Sequence, residues 1–207
     1  MRLILLTILL LSCNSKQTKN AMPDIISGEI PSESKIISQP NKTDNLKKLS
    51  DHSISFYLNH RQIPNVCKDL YTNKRSPSDD NDVLALLDSI FTNNNETRPF
   101  YFLTLTKTME KADGAYAESI GIMAKNFVEK RSEEFIKYFA NEPMLTKKDF
   151  EEWAISIAGE IQISFENSEN EEIQKLKNTM INNCSSCNNQ NKLLIDDFVN
   201  LIKNHCP

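Results

Sequence analysis

The chain has 207 residues, a formal net charge of −4 and only four glycines. A mildly acidic chain with scattered lysines is a poor counter-ion for nucleic acid and offers no basic patch to a membrane surface. The shortage of glycine disfavours Gly-rich phosphate loops and turn-dense β architectures, and beyond the N-terminus no apolar run approaches membrane-spanning length.

The first element is Met1 to Cys13, MRLILLTILLLSC. Arg2 forms a short positive start, and Leu3 to Leu11 is an apolar run interrupted only by Thr7. A bilayer span needs about 20 apolar residues, so this run has the shape of a secretory signal. Leu10-Leu11-Ser12-Cys13 closes it and resembles the lipobox of bacterial lipoproteins. The resemblance implies a signal peptide over residues 1–12 and cleavage before Cys13, which would then carry the acyl chains. Each buried methylene contributes about 0.8 kcal/mol, and one chain binds only marginally, so two or three are needed for a lasting anchor. Asn14, where aspartate would resemble an inner-membrane retention signal, favours the outer membrane facing the periplasm.

Residues 13–42 read as a lipidated tether. They are rich in Ser, Asn and Lys, lack aromatic residues, and carry Pro23, Pro31 and Pro40, a composition that behaves as a flexible linker. A coil of that length spans roughly 30 Å, enough for a body at 43–207 to stand off a bilayer.

From Thr43 onward the apolar spacing is helical. Thr43 or Asp44 can cap a helix carrying Leu46 and Leu49 and running toward Leu58, and Pro64 suits the first turn of another. Over 79–91 the periodicity is clearer: Val83, Leu86, Leu87, Ile90 and Phe91 share one face, and Asp79, Asp80 and Asp82 complement the dipole at its start. Phe100 to Thr106 has β-propensity. A ribbon with Ser53 to Leu58 as its only partner would be barely stable, which favours a buried central helix.

Asp113-Gly114 reads as a helix stop with Gly114 in the left-handed conformation. The stripe Ile120, Met123, Ala124, Phe127, Val128 follows, and Phe135, Ile136 and Phe139 continue it after a break at Ser132. Thr146 and Asp149 match a capping box with aspartate in place of glutamate, ahead of the stripe Phe150, Trp153, Ala154, Ile157, Ile161. Residues 171–180 and 190–203 form a helical hairpin across Cys184-Ser185-Ser186-Cys187. The fold class is all-α: an irregular bundle of seven or eight helices, disulfide-stapled, with a short α-solenoid as the alternative.

Four cysteines remain beyond Cys13. An even number outside the cytoplasm favours two disulfides. A helix over 190–203 would hold Cys187 and Cys206 roughly 20 Å apart, whereas a disulfide needs Cα atoms within about 7 Å. The expected pairs are therefore Cys184–Cys187 and Cys67–Cys206. Two sharper readings of the CxxC are a redox motif, which would want a helix N-terminus beside a sheet, and a zinc site with Cys206 and His205, which meets the same distance objection.

No GxSxG, HExxH, P-loop or GxGxxG pattern occurs, so no cofactor is implied and no catalytic residue is singled out. His52 and His60 could share a helical face, but no carboxylate completes a metal set. Asp113, Gly114, Tyr116 and Glu118 could line a functional helix junction, against the plainer reading of a cap and a packing tyrosine. Trp153 reads as core. Eight acidic residues between Asp149 and Glu172 form either a solvated helix face or, at Asp149, Glu151, Glu152 and Glu160, a docking surface for a basic protein.

Three function classes follow: a binding protein of inhibitor or immunity type, a scaffold for envelope assembly, and an enzyme or small-ligand carrier. In size, address and helical class the chain is similar to periplasmic immunity lipoproteins, which protect a cell from wall-degrading effectors. That similarity implies two partners, the bilayer through acylated Cys13 and a secreted effector or envelope complex.

Overall fold

The computed structural model describes residues 48–206. Among them are nine α-helices in a packed all-α bundle and one minimal hairpin. The hairpin pairs β1 (Lys48–Leu49) with β2 (His52–Ser53). Leu49 thus lies outside the helix expected to carry it, and Thr43, Asp44 and Leu46 lie outside the described residues. Two contacts explain the difference. Ser50 turns with φ +52° while its N–H and hydroxyl donate to the Glu142 carboxylate at 2.9 and 3.0 Å. Tyr57 donates to the Leu49 carbonyl at 3.0 Å, which buries Leu49.

Helix α1 (Ile54–Asn59) starts at Ser53, whose hydroxyl accepts from the Phe56 N–H, an ordinary N-cap. Pro64 precedes α2 (Asn65–Tyr71). Helix α3 (Asn81–Leu87) is shorter than its apolar pattern, because residues Asp88–Phe91 tighten into a 3₁₀ turn. Arginines from elsewhere take the carbonyls that follow: Arg131 donates to Phe91 O at 3.1 Å and Arg98 to Thr92 O at 2.6 Å.

Helix α4 (Arg98–Met109) covers the segment that had competing strand and helix readings. Pro99 sits in the first turn, where its missing N–H costs nothing. Every residue of α4 but Lys107 is buried, the mark of a helix at the centre of a bundle. Its threonines follow from that burial. Thr106 Oγ1 accepts from Trp153 Nε1 at 2.9 Å, and Thr108 Oγ1 shares a 2.7 Å hydrogen bond with the Tyr116 hydroxyl.

Gly114 is left-handed as expected, at φ +48°. It opens α5 (Gly114–Lys130), however, whereas α4 has already ended at Met109. A break at Ser132 separates α5 from α6 (Ser132–Asn141). Thr146 and Asp149 form the capping box of α7 (Lys147–Ser164). Helices α8 (Glu169–Asn182) and α9 (Asn189–His205) make the C-terminal hairpin, with Asn188 capping α9. Helix α7 packs against α4, α5, α8 and α9. Trp153 at its centre is fully buried, stacked on Phe102 at 5.0 Å and tilted against Phe127 and Phe135.

The α5–α7 crossing depends on Gly121. A Cβ there would lie 2.9 Å from the Ser156 carbonyl oxygen and 3.2 Å from Glu160 Cβ. Gly121→Ala is expected to cost about 1–3 kcal/mol, since the α7 backbone has to move. A lowered urea midpoint with an unchanged slope would register that cost; an unchanged midpoint would show that the crossing relaxes freely.

Candidate functional site

Asp149 does not belong to an open acidic face. Lys107 donates to both of its carboxylate oxygens at 2.7 and 2.8 Å, and its Oδ2 accepts from the Thr146 N–H and hydroxyl at 2.7 Å each. Burial raises the Asp149 carboxyl, but the hydrogen bonds from Lys107 and Thr146 outweigh it and hold the group below the usual carboxylate range. A carboxyl depressed on folding stabilises the protein above its unfolded pKa, near 3.9, and that contribution disappears as pH falls through the folded value. Asp149→Asn is therefore expected to cost about 1–2 kcal/mol near neutrality, with the gap to wild type closing below about pH 4. Urea unfolding of both proteins from pH 7 to pH 3 reads the effect; a gap independent of pH would assign the loss to geometry alone.

Of the other carboxylates, Glu151 is exposed and Glu152 half-buried, Glu160 Cβ lies at the Gly121 crossing, and Glu166 follows the end of α7. At 100° per residue, Glu151, Ile155, Gly159 and Ile163 form one i, i+4 row on α7, with Lys148 and Glu152 beside it. From Glu151 to Ile163 the row is about 18 Å long. Ile155 is 40% exposed and Ile163 66%, although the stripe Ile157 and Ile161 on the opposite side is fully buried. Among the described residues, Glu152, Glu160 and Glu166 have no cationic partner within ion-pair distance, and Glu151 has only His205 Nε2 at 3.5 Å. Burial raises the Glu152 carboxyl, and Glu110, Glu151 and Asp149 raise it further against Lys148. Glu160 accepts from Ser164 at 2.7 Å and borders the Gly121 crossing.

Gly159 sits between the two exposed isoleucines. A Cβ there would meet nothing within 4 Å, so no close approach within the body calls for glycine. In a helix interior glycine is about 1 kcal/mol less favourable than alanine. The isoleucines and Gly159 were not singled out from sequence. Their signal was present nonetheless, as apolar residues at i and i+8 off the core stripe with glycine midway.

A second concavity runs along α9, where Phe150, Leu194 and Leu201 line a hollow of about 440 Å³ edged by Lys147, Glu151 and Asp197. A neighbouring hollow shares Leu194 and Asp197 and reaches Phe139 and Lys137 on α6. Charges of both signs balance along this trough.

The cysteines divide differently from the expected pairing. Cys184 and Cys187 form a close pair with Cα atoms 5.1 Å apart, within disulfide reach. Cys67 and Cys206 are not joined. Cys67 is buried on α2 beside Thr104, and burial pushes its thiol up to about 12. Cys206 ends α9 against α7, its Sγ 3.7 Å from the Ala158 carbonyl, in a position also held by Gln162 donating to His205 O at 2.7 Å. The elimination that linked them used the length of α9 correctly but had no information on which helices the two leftover thiols meet. Both CxxC sulfurs belong to buried residues, whereas a redox cysteine needs access. His205 and Cys206 lie at the far end of α9 from them. Among the described residues no group of three or more His, Cys, Asp or Glu side chains is placed to hold a metal ion.

His52 stacks on Phe56 with ring centroids 4.0 Å apart, and His60, whose Nδ1 accepts from the Gln62 N–H at 3.2 Å, packs against the same Phe56 ring at 5.2 Å. Tyr116 is buried on Thr108 rather than lining a junction. Cys13 lies outside the described residues, and no described helix is long and apolar enough to cross a membrane. No protein-family model matches the chain, and comparisons with curated proteins and with solved structures give no match either.

Proposed function

We propose that this chain is an envelope lipoprotein, anchored through acylated Cys13, whose helical body binds another protein in the manner of an inhibitor or immunity protein. The observation that carries the reading is the outward face of α7, where two of the large exposed hydrophobics, Ile155 and Ile163, share one row with Glu151; Ile122, Ile181 and Leu193 are exposed singly on other helices. Exposed apolar residues beside charged side chains favour a protein partner over a small ligand, since the charges steer and the apolar centre desolvates. The lipobox resemblance supplies the address, and the close Cys184–Cys187 pair suits an oxidising compartment. Scaffolding within an envelope complex is the second reading. The trough along α9, which meets the α7 face at Glu151, favours it, because a scaffold offers more than one contact surface.

The experiment is affinity capture of the full-length protein from its own membranes, followed by an assay of whatever is retained. One stoichiometric protein whose hydrolytic activity the lipoprotein suppresses would support the inhibitor reading. A set of membrane-complex subunits would favour the scaffold, and retention of no protein would remove both. Radiolabelled palmitate incorporated by the wild type and lost in Cys13→Ala is the expected signature of the anchor.

A further inference from the structure

Independently of the α7 reading, we infer that the trough along α9 docks a second copy of this chain. The two α9 helices pack antiparallel about a two-fold axis at Asp197. The outward stripe of α9 is Gln190, Leu193, Asp197, Leu201 and Asn204, and all five line the two joined hollows. Their spacing of three, four, four and three residues keeps them on one helix face. It also reads the same in both directions: an amide, a leucine, the aspartate, a leucine, an amide. A two-fold interface needs a patch that complements itself, and this stripe does. Turned end for end, Leu193, at 63% exposure, meets Leu201 of the second copy. Gln190 meets Asn204, and each amide offers both a donor and an acceptor.

Charge selects the same occupant. Lys148 pairs with Glu110 and Asp196 with Lys177. Exposed Lys147 and Asp197 line one hollow, yet neither has an ion-pair partner among the described residues. The other charges of the trough are engaged within the copy: Lys137 pairs with Glu133, and Glu151 lies 3.5 Å from His205. Two Asp197 carboxylates alone would repel across the axis. The two Lys147 ammonium groups beside them offset that repulsion, one lysine for each aspartate. A partner charged with a single sign leaves one of the two unmatched. From Gln190 to Asn204 the stripe is about 21 Å long, and with one flanking helix it covers roughly 400 Å² on each copy. That is the size of a transient contact, so the dimer is reversible.

The first test uses the full-length protein in its own membranes. Asp197→Cys puts a thiol on the axis and is expected to give a covalent dimer with a short bis-maleimide. Wild type, whose Cys206 is half-buried, and Gln174→Cys, exposed on α8, are expected to stay uncrosslinked. The second test is sedimentation velocity over a concentration series, on the full chain carrying Cys13→Ser to avoid acylation. Leu193→Ser is expected to weaken self-association at least fivefold while leaving the far-UV circular dichroism of the fold unchanged. Lys147→Glu and Asp197→Lys should each weaken it at least fivefold. Mixing those two variants should restore it, because each then carries the sign that the other lacks. Equal crosslinking at 174 and 197, no recovery in the mixture, or no loss with Leu193→Ser would each overturn the inference. So would hydrogen-exchange protection along 190–204 that does not change with concentration, which gives the trough to another part of the same chain. Protection that appears only on adding a protein captured from the membranes gives it to that protein instead, and again this inference falls. A monomer at every concentration, without crosslinking at 197, overturns it as well and leaves the α7 reading to its own capture experiment.

Discussion

Trp153→Ala is expected to destabilise the body by about 3–5 kcal/mol, the usual cost of removing a fully buried large aromatic. Three aromatic rings lose their neighbour at once, since Phe102, Phe127 and Phe135 all lie within 6 Å of the indole centroid. Thr106 Oγ1 loses its donor in the same step, and a buried polar group without a partner adds its own penalty. Equilibrium urea unfolding followed by far-UV circular dichroism reads the loss. Trp153→Phe should recover most of the packing but not the hydrogen bond, leaving about 1–2 kcal/mol unrestored. Equal costs for the alanine and phenylalanine variants would locate the contribution in the Thr106 contact rather than in the aromatic cluster.

Arg98→Met is expected to cost about 2–3 kcal/mol. Arg98 is buried and donates to Glu134 Oε1 at 2.5 Å, to Asn95 Oδ1 at 2.5 Å and to Thr92 O at 2.6 Å. It thus ties the loop after the 3₁₀ turn and the start of α4 to α6. Removing one member of a buried pair costs 3–5 kcal/mol when the other is left uncompensated. Here the Glu134 side chain is 22% exposed and keeps the Tyr138 hydroxyl at 3.0 Å and Arg131 at 3.3 Å, which lowers the figure. Burial, reinforced by Glu134, pushes the Tyr138 hydroxyl up, so that phenol stays protonated as a donor at any working pH. The double variant Arg98→Met/Glu134→Leu should cost less than the two single changes added together, because it leaves no orphaned charge. Strict additivity in that cycle would mean that Arg98 acts through Thr92 O and Asn95 instead of through Glu134.

Much of the helical framework follows from contacts within three or four residues. The stripe at 120–128, the break at Ser132, the Thr146–Asp149 box and the Cys184–Cys187 turn are all of that kind, and each stands where its residues place it. The candidate site was only half legible. Composition named Glu151, Glu152 and Glu160 with Asp149, but Asp149 left the set once Lys107, 42 positions earlier, proved to hold it, and Glu160 once it proved to border the Gly121 crossing. Ile155 and Ile163 look like core residues until the directions of α5 and α9 around α7 are known.

By itself, then, the sequence determined an all-α body, its caps and most of its breaks, because a helix is written in i, i+3 and i, i+4 spacings that need no distant partner. Tertiary structure decided the rest. It drew Leu49 into a hairpin through Tyr57 and Glu142, buried α4 on nearly every side, and kept Cys67 apart from Cys206. It also turned one row of α7 outward. Each of these depends on side chains tens of residues apart meeting across helix faces, and periodicity says which residues share a face but not what that face meets.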